Sequence, residues 1–526
     1  MRRGPGRRRD GESASSAVMP GTALIVGLDV GTTSVKAVAF QPGSARRHVA
    51  TRQYPTDEPA PGCRTQDPEV IVAAALAALA ECVAAGDGAA VAAVSLSAAM
   101  HGLMALDADL RPLTPLVTWA DARAADEARS LRESGDAAQL HNVTGVPVHP
   151  MTPLAKLMWF ARHQPETWAA ARWWIGLKDY LIYRLTGTLA TELSSASGTG
   201  LLEMATRAWS PGALAVCGVP AERLPEILSP TTVLELAPAA SEEVGLPAGT
   251  PVVVGAGDGP LGNLGTGAIT PGVAGLTLGT SGALRLAFDR PRLGAGRALY
   301  CYALTESLWV SGGSISNGGG VIPWAGRALA PDLVAAGDDP DAAVLELAAQ
   351  APPGADGLAM VPYLIAERAP LWDPDLAGAY LGLRAHHTRA HLVRAAVEGV
   401  CMQLRFILDR LDAMVFVESV RATGGAFRSP LWREAVAASL DRPLFVVDDT
   451  AGTARGAAAL GLLATGRAAS LDEALAQLPG DDTAAPSPVG VSRDLVATYA
   501  ALRRSLSPLI DDLGTVAGLP RHSTAR

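Results

Sequence analysis

The sequence contains few cysteines, few aromatic residues, almost no lysine and no long apolar run. Its five cysteines, at positions 63, 82, 217, 301 and 401, form neither C-x-x-C pairs nor metal-ligand spacings. They therefore exclude a disulfide framework and favour a reduced, cytoplasmic setting. The longest apolar helix candidate, 70–80, ends at Glu81 and is too short to span a bilayer. A net charge of −9 argues against nucleic acid or an anionic membrane as a partner.

Lysine is the rarest basic residue, present at positions 36, 156 and 178 only. An arginine bias of this kind is typical of a high-GC genome, so a lysine that persists against it indicates a need for a compact ammonium group. All three lysines lie in segments that other features single out below. Coincidence is the alternative interpretation.

The length of 526 residues predicts two large domains, because a single core rarely grows to that size. Residues 1–20 are rich in arginine, lack the apolar stretch of a secretory signal, and are predicted to be a disordered tail. Alternatively, Met19 is the true start. We predict one domain over 21–268, a second over 269–513, and a loose tail over 514–526.

One stretch of sequence occurs twice. Residues 27–40 read GLDVGTTSVKAVAF and residues 275–288 read GLTLGTSGALRLAF. Each copy is an apolar strand, a Gly-Thr turn and a second strand, and glycine lets such a turn bring backbone N–H groups close to a ligand. Two such hairpins about half a chain apart predict a duplicated domain that holds a polyphosphate between its halves.

The hydrophobic pattern predicts the elements around these hairpins. Strands are expected over 24–28, 91–96 and 252–254, and helices over 154–163 and 173–185. Three prolines make 143–153 an irregular loop.

The first hairpin places a carboxylate, Asp29, at the end of a buried strand beside the turn. A magnesium ion carried by ATP would compensate that charge. Thr32, Thr33 and Lys36 would then face the phosphates. The alternative is an ordinary hairpin with a polar tip, and the second copy at 278–282 favours phosphate binding.

Asp258 follows a predicted strand and lies between two glycines, close to the predicted domain boundary. Phosphorylation of an alcohol needs a base to accept the hydroxyl proton. An Asp-Gly turn is the common alternative. The position of Asp258 between the two hairpins favours the catalytic interpretation.

The segments SAAMHG and TWADAR predict a site for a small polar ligand. Met100 and His101 end one strand, and Trp119, Asp121 and Arg123 alternate on an extended run, so their side chains share one face. Tryptophan stacks on the apolar face of a sugar, while carboxylate and guanidinium groups bind hydroxyls. The alternative is a helix N-cap at Asp121 beside a core tryptophan.

The segment ATGGAFRSPLW, residues 422–432, predicts a nucleotide contact. Gly424 and Gly425 would allow a close approach to the adenosine and the α-phosphate, and a helix beginning near Pro430 points its positive end the same way. A plain strand-to-helix turn is the alternative.

These motifs, in this order, resemble the FGGY carbohydrate kinases of the actin–hexokinase–Hsp70 superfamily, from about residue 24 to about residue 510. Residues 151–163, MTPLAKLMWFARH, resemble the first family signature, and residues 378–398, GAYLGLRAHHTRAHLVRAAVE, resemble the second. The resemblance implies an α/β fold of two ribonuclease-H-like (actin-like ATPase) domains flanking a deep cleft.

The resemblance also implies a role for each matching residue. Asp258 would be the catalytic base, and Asp29 the magnesium-associated aspartate. The implied ATP-binding residues are Thr32, Thr33, Lys36, Gly279, Thr280, Ser281, Gly424, Gly425 and Ser429. The implied substrate-binding residues are Met100, His101, Trp119, Asp121, Arg123 and Asp258. Ser429 departs from the asparagine common at that place in glycerol kinase and several relatives.

Within the family, SAAMHGLMALD, PLVTWADAR, TGVPVHPMTPLAKL and LIAERAPLWDPDLAGAYLGL resemble the gluconokinase branch. Xylulokinase shares the Met-His and Trp-x-x-x-Arg elements and is the alternative. A gluconate site requires an extra cation or oriented hydrogen-bond donors for the substrate carboxylate. Arg123, His149 and Lys156 are the candidates that the sequence offers.

We therefore expect an ATP- and Mg²⁺-dependent kinase acting on a small sugar acid or sugar, without nucleic-acid or membrane partners and possibly homodimeric. The competing hypothesis is a non-catalytic nucleotide switch of the actin or Hsp70 kind, because fold does not fix function. A switch has no need of the ligand cluster at 100–123.

Overall fold

The computed structural model describes residues 23–86, 90–336, 338–365, 367–447, 451–478 and 489–516. The predicted N-terminal tail, 1–20, lies outside the described residues. So does most of the predicted C-terminal tail, since only 514–516 fall within the last helix.

The described chain alternates strands and helices. The strands are β1 (Leu24–Val30), β2 (Ser34–Phe40), β3 (Arg47–Gln53), β4 (Thr65–Gln66), β5 (Val91–Ala98), β6 (Met104–Leu106), β7 (Leu116–Val117), β8 (Trp173–Ile175), β9 (Ala190–Glu192), β10 (Leu202–Glu203), β11 (Ala208–Trp209), β12 (Glu226–Leu228), β13 (Val233–Glu235), β14 (Pro251–Gly257), β15 (Val273–Leu278), β16 (Gly282–Phe288), β17 (Tyr300–Ala303), β18 (Trp309–Ile315), β19 (Ala359–Val361), β20 (Ala379–Leu381), β21 (Ser419–Thr423) and β22 (Leu444–Val446). The helices are α1 (Pro68–Ala84), α2 (Ala125–Ser134), α3 (Asp136–Thr144), α4 (Pro153–His163), α5 (Pro165–Ala170), α6 (Leu177–Thr186), α7 (Leu193–Ser197), α8 (Pro211–Cys217), α9 (Pro238–Val244), α10 (Asp258–Gly265), α11 (Val321–Leu329), α12 (Pro331–Ala336), α13 (Pro340–Ala349), α14 (Arg389–Asp412), α15 (Pro430–Leu440), α16 (Gly452–Ala464), α17 (Leu471–Gln477) and α18 (Arg493–Val516).

Two six-stranded sheets carry the fold, and their central strands follow one plan. In the first sheet the order is β13-β14-β5-β1-β2-β3, with β1, β2 and β3 antiparallel and β1, β5 and β14 parallel. In the second the order is β17-β18-β16-β15-β21-β22, with β15, β16 and β18 antiparallel and β15, β21 and β22 parallel. The predicted duplication of an α/β domain is therefore confirmed.

The repeated sequences occupy equivalent places in this plan. The β1–β2 hairpin contains the first copy and the β15–β16 hairpin contains the second. In each sheet the hairpin begins at the central strand, beside the parallel strands that follow. The Gly-Thr turns accordingly lie at matching edges of the two sheets.

Helices cover both faces of each sheet. In the first domain, α1 and α6 pack on one face, and α10 and α16 pack on the other. In the second domain, the long and largely buried α14 packs against β16, β18, α11 and α15. The predicted helix over 173–185 is wrong at its start, because Trp173–Ile175 pairs with β6 as strand β8 before α6 begins. None of the helices in the described ranges has the length and apolar character needed to cross a membrane.

The crossing of α10 and α16 joins the two halves of the chain. α10 connects the first sheet to the second, and α16 returns from the second sheet to pack against β1 and β5. A Cβ atom on Gly265 would lie 1.7 Å from the carbonyl oxygen of Gly452, and one on Gly456 would lie 2.1 Å from that of Leu261. The helices thus cross at backbone contact. The division near residue 268 stays a prediction, and this return shows that the second half of the chain supplies one layer of the first domain.

Replacing Gly265 by alanine is expected to destabilise the protein by about 1–3 kcal/mol, because its methyl group cannot fit without separating the two helix backbones. Thermal or denaturant unfolding measures the loss. Gly262→Ala is the matched control in the same helix, since its Cβ would meet only the Thr453 hydroxyl, at 3.6 Å. Equal stability of the two variants would contradict the proposed tight crossing.

Candidate active site

Three neighbouring strands of the first sheet bring the predicted reaction centre together. β1, β5 and β14 run parallel, with Asp29 beside Ser97 and Gly257 beside Ala98. The carboxyl ends of parallel strands meet at one edge of a sheet, where α/β proteins bind their ligands. This edge holds Asp29, the Met-His loop after β5, and Asp258 at the start of α10.

Burial raises the pKa of both carboxyl groups. Burial first, and then the charge of Asp258, raise the pKa of Asp29 to about 6. A hydrogen bond of 2.9 Å from the Ser97 hydroxyl and the Lys36 ammonium act in the opposite direction. The effect of Asp258 on Asp29 indicates that the two side chains lie close enough to repel each other. The structure thus brings the predicted base and the predicted metal residue into one site.

Asp258 is held by its helix and opposed by a cation. It is the first residue of α10, where the positive end of the helix favours a carboxylate. Its Oδ1 accepts a hydrogen bond from the Gly259 N–H at 2.7 Å. Burial raises its pKa, and the guanidinium of Arg285 is the strongest influence that lowers it. Arg285 in turn donates to the Tyr300 hydroxyl at 2.9 Å.

A cavity between the domains adjoins Asp29 and extends to the predicted adenosine motif. Its wall includes Thr423, Gly424 and Gly425 after β21, and Gly452 and Thr453 at the start of α16. Gly424 has φ of 120°, and a Cβ there would lie 2.3 Å from the Leu278 carbonyl oxygen. Only glycine fits this position, which opens the backbone toward the cavity.

The second Gly-Thr turn is supported by a further glycine-rich loop. The N–H groups of Gly318 and Gly320 donate to the Thr280 carbonyl, and that of Gly319 donates to the Gly279 carbonyl. Cβ atoms at these glycines would clash with the turn. The loop therefore fixes the turn from behind and leaves the exposed side chain of Thr280 toward solvent.

The other predicted nucleotide residues lie at the same edges. Thr33 is exposed at the tip of the first turn, and Lys36 pairs with Asp29 across the hairpin. Ser281 begins the return of the second hairpin, where its carbonyl accepts from the Gly279 N–H. Ser429 is the N-cap residue of α15, without a side-chain capping bond. Their contacts with ATP stay predictions.

The segment after β7 is a pair of turns, so the predicted extended run from Trp119 to Arg123 is wrong. The Asp121 N–H donates to the Thr118 carbonyl, which closes the first turn. Trp119 points toward the first hairpin and donates from Nε1 to the Thr32 hydroxyl at 2.9 Å. The predicted common face for the three side chains therefore does not form.

Asp121 is enclosed rather than open to the cleft. Its two oxygens accept from the Arg64 N–H, from the Arg123 N–H and, bidentately, from the Arg123 guanidinium. The alternative interpretation of Asp121 as a helix N-cap is also wrong, because α2 begins at 125 with Ala124 as its cap. In this geometry Asp121 orients Arg123, whose guanidinium also lies 4.9 Å from the Trp159 ring centroid. Direct sugar contacts by Asp121 and Arg123 stay predictions.

Lys156 is fully buried and binds backbone. Its Nζ donates to the carbonyls of His101 at 2.6 Å, Thr118 at 2.7 Å and Val117 at 3.3 Å. Burial lowers the pKa of Lys156 to about 7. The ammonium ties together the two segments that carry Met100 and Trp119, so the structure makes it a positioning group and corrects its prediction as a carboxylate ligand.

Two histidines near the predicted sugar pocket are neutral. Burial lowers the pKa of both His101 and His149 to about 3. His101, at φ 67°, hydrogen-bonds through Nδ1 to the Gly198 carbonyl at 2.8 Å. His149 donates from Nε2 to the Glu367 carbonyl and accepts at Nδ1 from the Met151 N–H. Both nitrogens of His149 are thus engaged, which corrects its prediction as a cationic ligand.

Sequence reasoning missed several groups around the base. Arg285 and Arg368 act on it from the second domain, and although both lie in segments quoted above, no role was assigned to either one. Lys178 forms a buried ion pair with Glu192, whose oxygens accept from the first N–H groups of α7. The Ser194 hydroxyl of that helix accepts from the Gly257 N–H at 3.1 Å. The rarity of lysine was the only available signal for this support.

The donor set fits a magnesium ion that arrives with a nucleotide. Asp29 and its neighbour Asp258 supply hard oxygen donors with raised pKa values, which a divalent cation compensates. The part of the chain that the structure describes contains no cluster of three or more acidic, histidine or cysteine side chains able to hold a metal by itself. Phosphate oxygens and water would have to complete the coordination.

Comparisons with known proteins agree with this geometry. A family model for the N-terminal domain of the FGGY family of carbohydrate kinases matches residues 24–265, and the model for its C-terminal domain matches 274–465. The gluconokinase of Bacillus subtilis is 35% identical over 458 residues, covering 86% of this chain and 89% of that protein. The xylulose kinase of the same organism is 29% identical over 460 residues, covering 86% and 90%.

A solved structure shares the whole architecture. The crystal structure of gluconate kinase from Lactobacillus acidophilus superposes with a TM-score of 0.87 at 31% identity, covering 94% of this chain and 99% of that one. The predicted two-domain actin-like ATPase fold is therefore confirmed.

Asp29→Asn is expected to raise the free energy of unfolding at pH 7.5 by about 1–3 kcal/mol in nucleotide- and metal-free buffer. The folded pKa of about 6 lies above the ordinary 3.8, so between these values the folded state binds more protons. Stability of the unmodified chain therefore falls as pH rises through this window and carries the full penalty above it.

Urea unfolding at pH 4 and pH 7.5 measures the effect, with Asp109→Asn, at an exposed carboxylate, as the control. The Asp29 variant should gain stability at the higher pH only. A gain of equal size at both values, or none, would show that Asp29 carries no buried-charge penalty.

Proposed function

The chain belongs to the FGGY family of carbohydrate kinases, and on that premise we propose that it transfers the γ-phosphoryl group of ATP to the terminal hydroxyl of D-gluconate. The product would be 6-phospho-D-gluconate. The observation that carries the choice of substrate is the higher identity to the Bacillus subtilis gluconokinase than to the xylulose kinase of that organism. D-Xylulose is the second candidate, since a xylulose kinase from Lactobacillus acidophilus is also close in structure.

The proposed roles follow from the two sheet edges. ATP would lie in the interdomain cavity, with adenosine at Gly424 and Gly425 and the phosphates between the two Gly-Thr turns. Backbone N–H groups and hydroxyls at Thr32, Thr33, Thr280 and Ser281 would bind the phosphate oxygens, and Gly279 would let them approach the turn closely. Lys36 adds a cation at the first turn. Asp29 would hold a magnesium ion that arrives with the nucleotide, and such an ion would supply positive charge against the negative charge that develops during transfer.

The sugar would lie on the Met100–His101 side of the base. Asp258 would accept the proton of the terminal hydroxyl as that oxygen attacks the γ-phosphorus. Burial raises the pKa of Asp258, which makes it a stronger base than a solvent-exposed aspartate, and the charge of Arg285 opposes that rise. Closure of the domains would exclude water, which otherwise competes as the phosphoryl acceptor. A cytoplasmic location fits a reaction that consumes ATP.

The substrate assignment is tested by ADP-coupled assays on D-gluconate, D-xylulose and glycerol with ATP and Mg²⁺. We expect kcat/KM for gluconate to exceed the others by at least about tenfold, because a site built for a carboxylate is left with unpaired donors by neutral sugars. An NADP-linked 6-phosphogluconate dehydrogenase assay identifies the product. A preference for xylulose would replace gluconate as the assigned substrate.

Asp258→Asn is expected to lower kcat by roughly 10²–10⁴-fold, the usual contribution of a general base. The amide oxygen can still accept the Gly259 N–H, so the fold and the nucleotide cavity should persist. Isothermal calorimetry with ATP provides the second readout, and its Kd should stay within about threefold. A parallel loss of nucleotide affinity would assign Asp258 a structural role instead.

A further inference from the structure

A sugar acid brings a carboxylate into the cleft, and a carboxylate removed from water needs a cation or several oriented donors. The three candidates from the sequence are already engaged. Lys156 binds backbone carbonyls, Arg123 is held bidentately by Asp121, and His149 is neutral with both ring nitrogens in use. The partner of a substrate carboxylate must therefore be sought elsewhere in the cleft.

Arg368 is a buried cation without an ion pair. Among the described residues, two arginines are buried, Arg368 with 8% of its surface exposed and Arg394 with 7%. Arg394 pairs with Glu398 at 2.8 Å, as a buried charge requires. No carboxylate oxygen in the described part of the chain lies within 4.0 Å of the Arg368 guanidinium.

The carboxyl group of the neighbouring Glu367 is not the counterion of Arg368. Glu367 directs Oε1 to the backbone N–H of Arg368 at 2.7 Å, and it also interacts with the Gln403 and Asn317 side chains. Burial raises the pKa of Glu367 to about 7, so its negative charge is only partly present at neutral pH. The positive charge of the Arg368 guanidinium is thus not neutralised by a carboxylate in direct contact with it.

Neutral groups fix the orientation of Arg368. Its Nε donates to the Ser316 hydroxyl at 3.1 Å and its Nη2 donates to the Ile315 carbonyl at 2.8 Å. Its guanidinium carbon lies 4.7 Å from the ring centroid of Trp119, which belongs to the other domain. These contacts use two of the five N–H donors of an arginine and leave Nη1 without a hydrogen bond to any described residue.

The electrostatic neighbours place Arg368 on the sugar side of the base. The charge of Arg368 lowers the pKa of both His101 and His149. Both arginines lower the pKa of Asp258, and Arg285 lowers it more than Arg368 does. Arg285 therefore adjoins the phosphoryl-transfer end, and Arg368 lies farther along the Met100–His101 side.

We propose that Arg368 is the residue that recognises the carboxylate of a sugar-acid substrate, through its free Nη donors. This inference rests on the proposed function. The cation arrives from the second domain, so it completes the sugar site only when the two domains face each other. The stack on Trp119 holds the guanidinium in place, and a charged bidentate partner binds it more strongly than an aromatic face does.

The test compares a charged and an uncharged acceptor of equal length. Steady-state kinetics with D-gluconate and with D-glucitol, which has a hydroxymethyl group in place of the carboxylate, are measured for the unmodified enzyme, Arg368→Gln and Arg368→Lys. Arg368→Gln should lower kcat/KM for gluconate by roughly 10–100-fold, mainly through KM, and that for glucitol by less than about threefold. Arg368→Lys keeps the charge without the fork and should fall between.

Arg285→Gln is the contrasting variant. Because Arg285 adjoins Asp258, it should lower kcat for both acceptors and leave their ratio unchanged. Equal losses for gluconate and glucitol in Arg368→Gln would overturn the inference while the gluconokinase assignment stands. Failure of the unmodified enzyme to use gluconate would overturn the assignment and the inference together.

If Arg368→Gln does not fold, circular dichroism will show it, and the selectivity ratio is then read from Arg368→Lys and Ser316→Ala. Ser316→Ala removes only the hydroxyl that orients Nε. A fall in the gluconate-to-glucitol ratio in both variants supports carboxylate recognition. An unchanged ratio in both refutes it.

Discussion

Two neighbouring carboxylates at one sheet edge determine which charged groups the rest of this candidate active site must contain. Asp29 and Asp258 lie at the ends of parallel strands, are partly buried and repel each other. Such a pair is stable only where cations and oriented dipoles oppose it. The structure supplies the start of α10, Arg285 and the Lys36 ammonium. A metal–nucleotide complex would supply the remaining positive charge. The charge that stabilises the two carboxylates would thus also favour nucleotide binding.

Duplication explains why the chain has two matching Gly-Thr turns. Both sheets begin with an antiparallel meander and continue with parallel strands, so both present a Gly-Thr turn at the edge where their strands end. The crossing of α10 and α16 then turns the two edges toward each other, and glycines at the crossing allow the helix backbones to touch. A methyl group at that contact would force the two helix backbones apart.

The first domain contributes most of the groups predicted from sequence, and the second contributes the two arginines that act on Asp258, whose roles were missed. Local motifs identified Asp29, Asp258 and the glycine turns, because each combines a strand end with residues whose backbone can bend. Arg285 and Arg368 stand in strand and loop sequence without a pattern of their own. Their importance comes from lying opposite Asp258 and Trp119, and no spacing along the chain encodes that.

By itself the sequence determined the family, the duplicated α/β plan and the position of the central carboxylates. Apolar strands, glycine turns and a long-range repeat can each be recognised from the order of residues along the chain. It also marked Lys156 and Lys178 through their rarity. The tertiary structure alone decided what these lysines touch, that Arg64 and Arg123 enclose Asp121, and that the buried Arg368 stacks on Trp119 without an ion pair. Those outcomes depend on which groups folding brings together and which it leaves unpaired. The energy of a charged side chain depends on the groups and the solvent around it in the folded state.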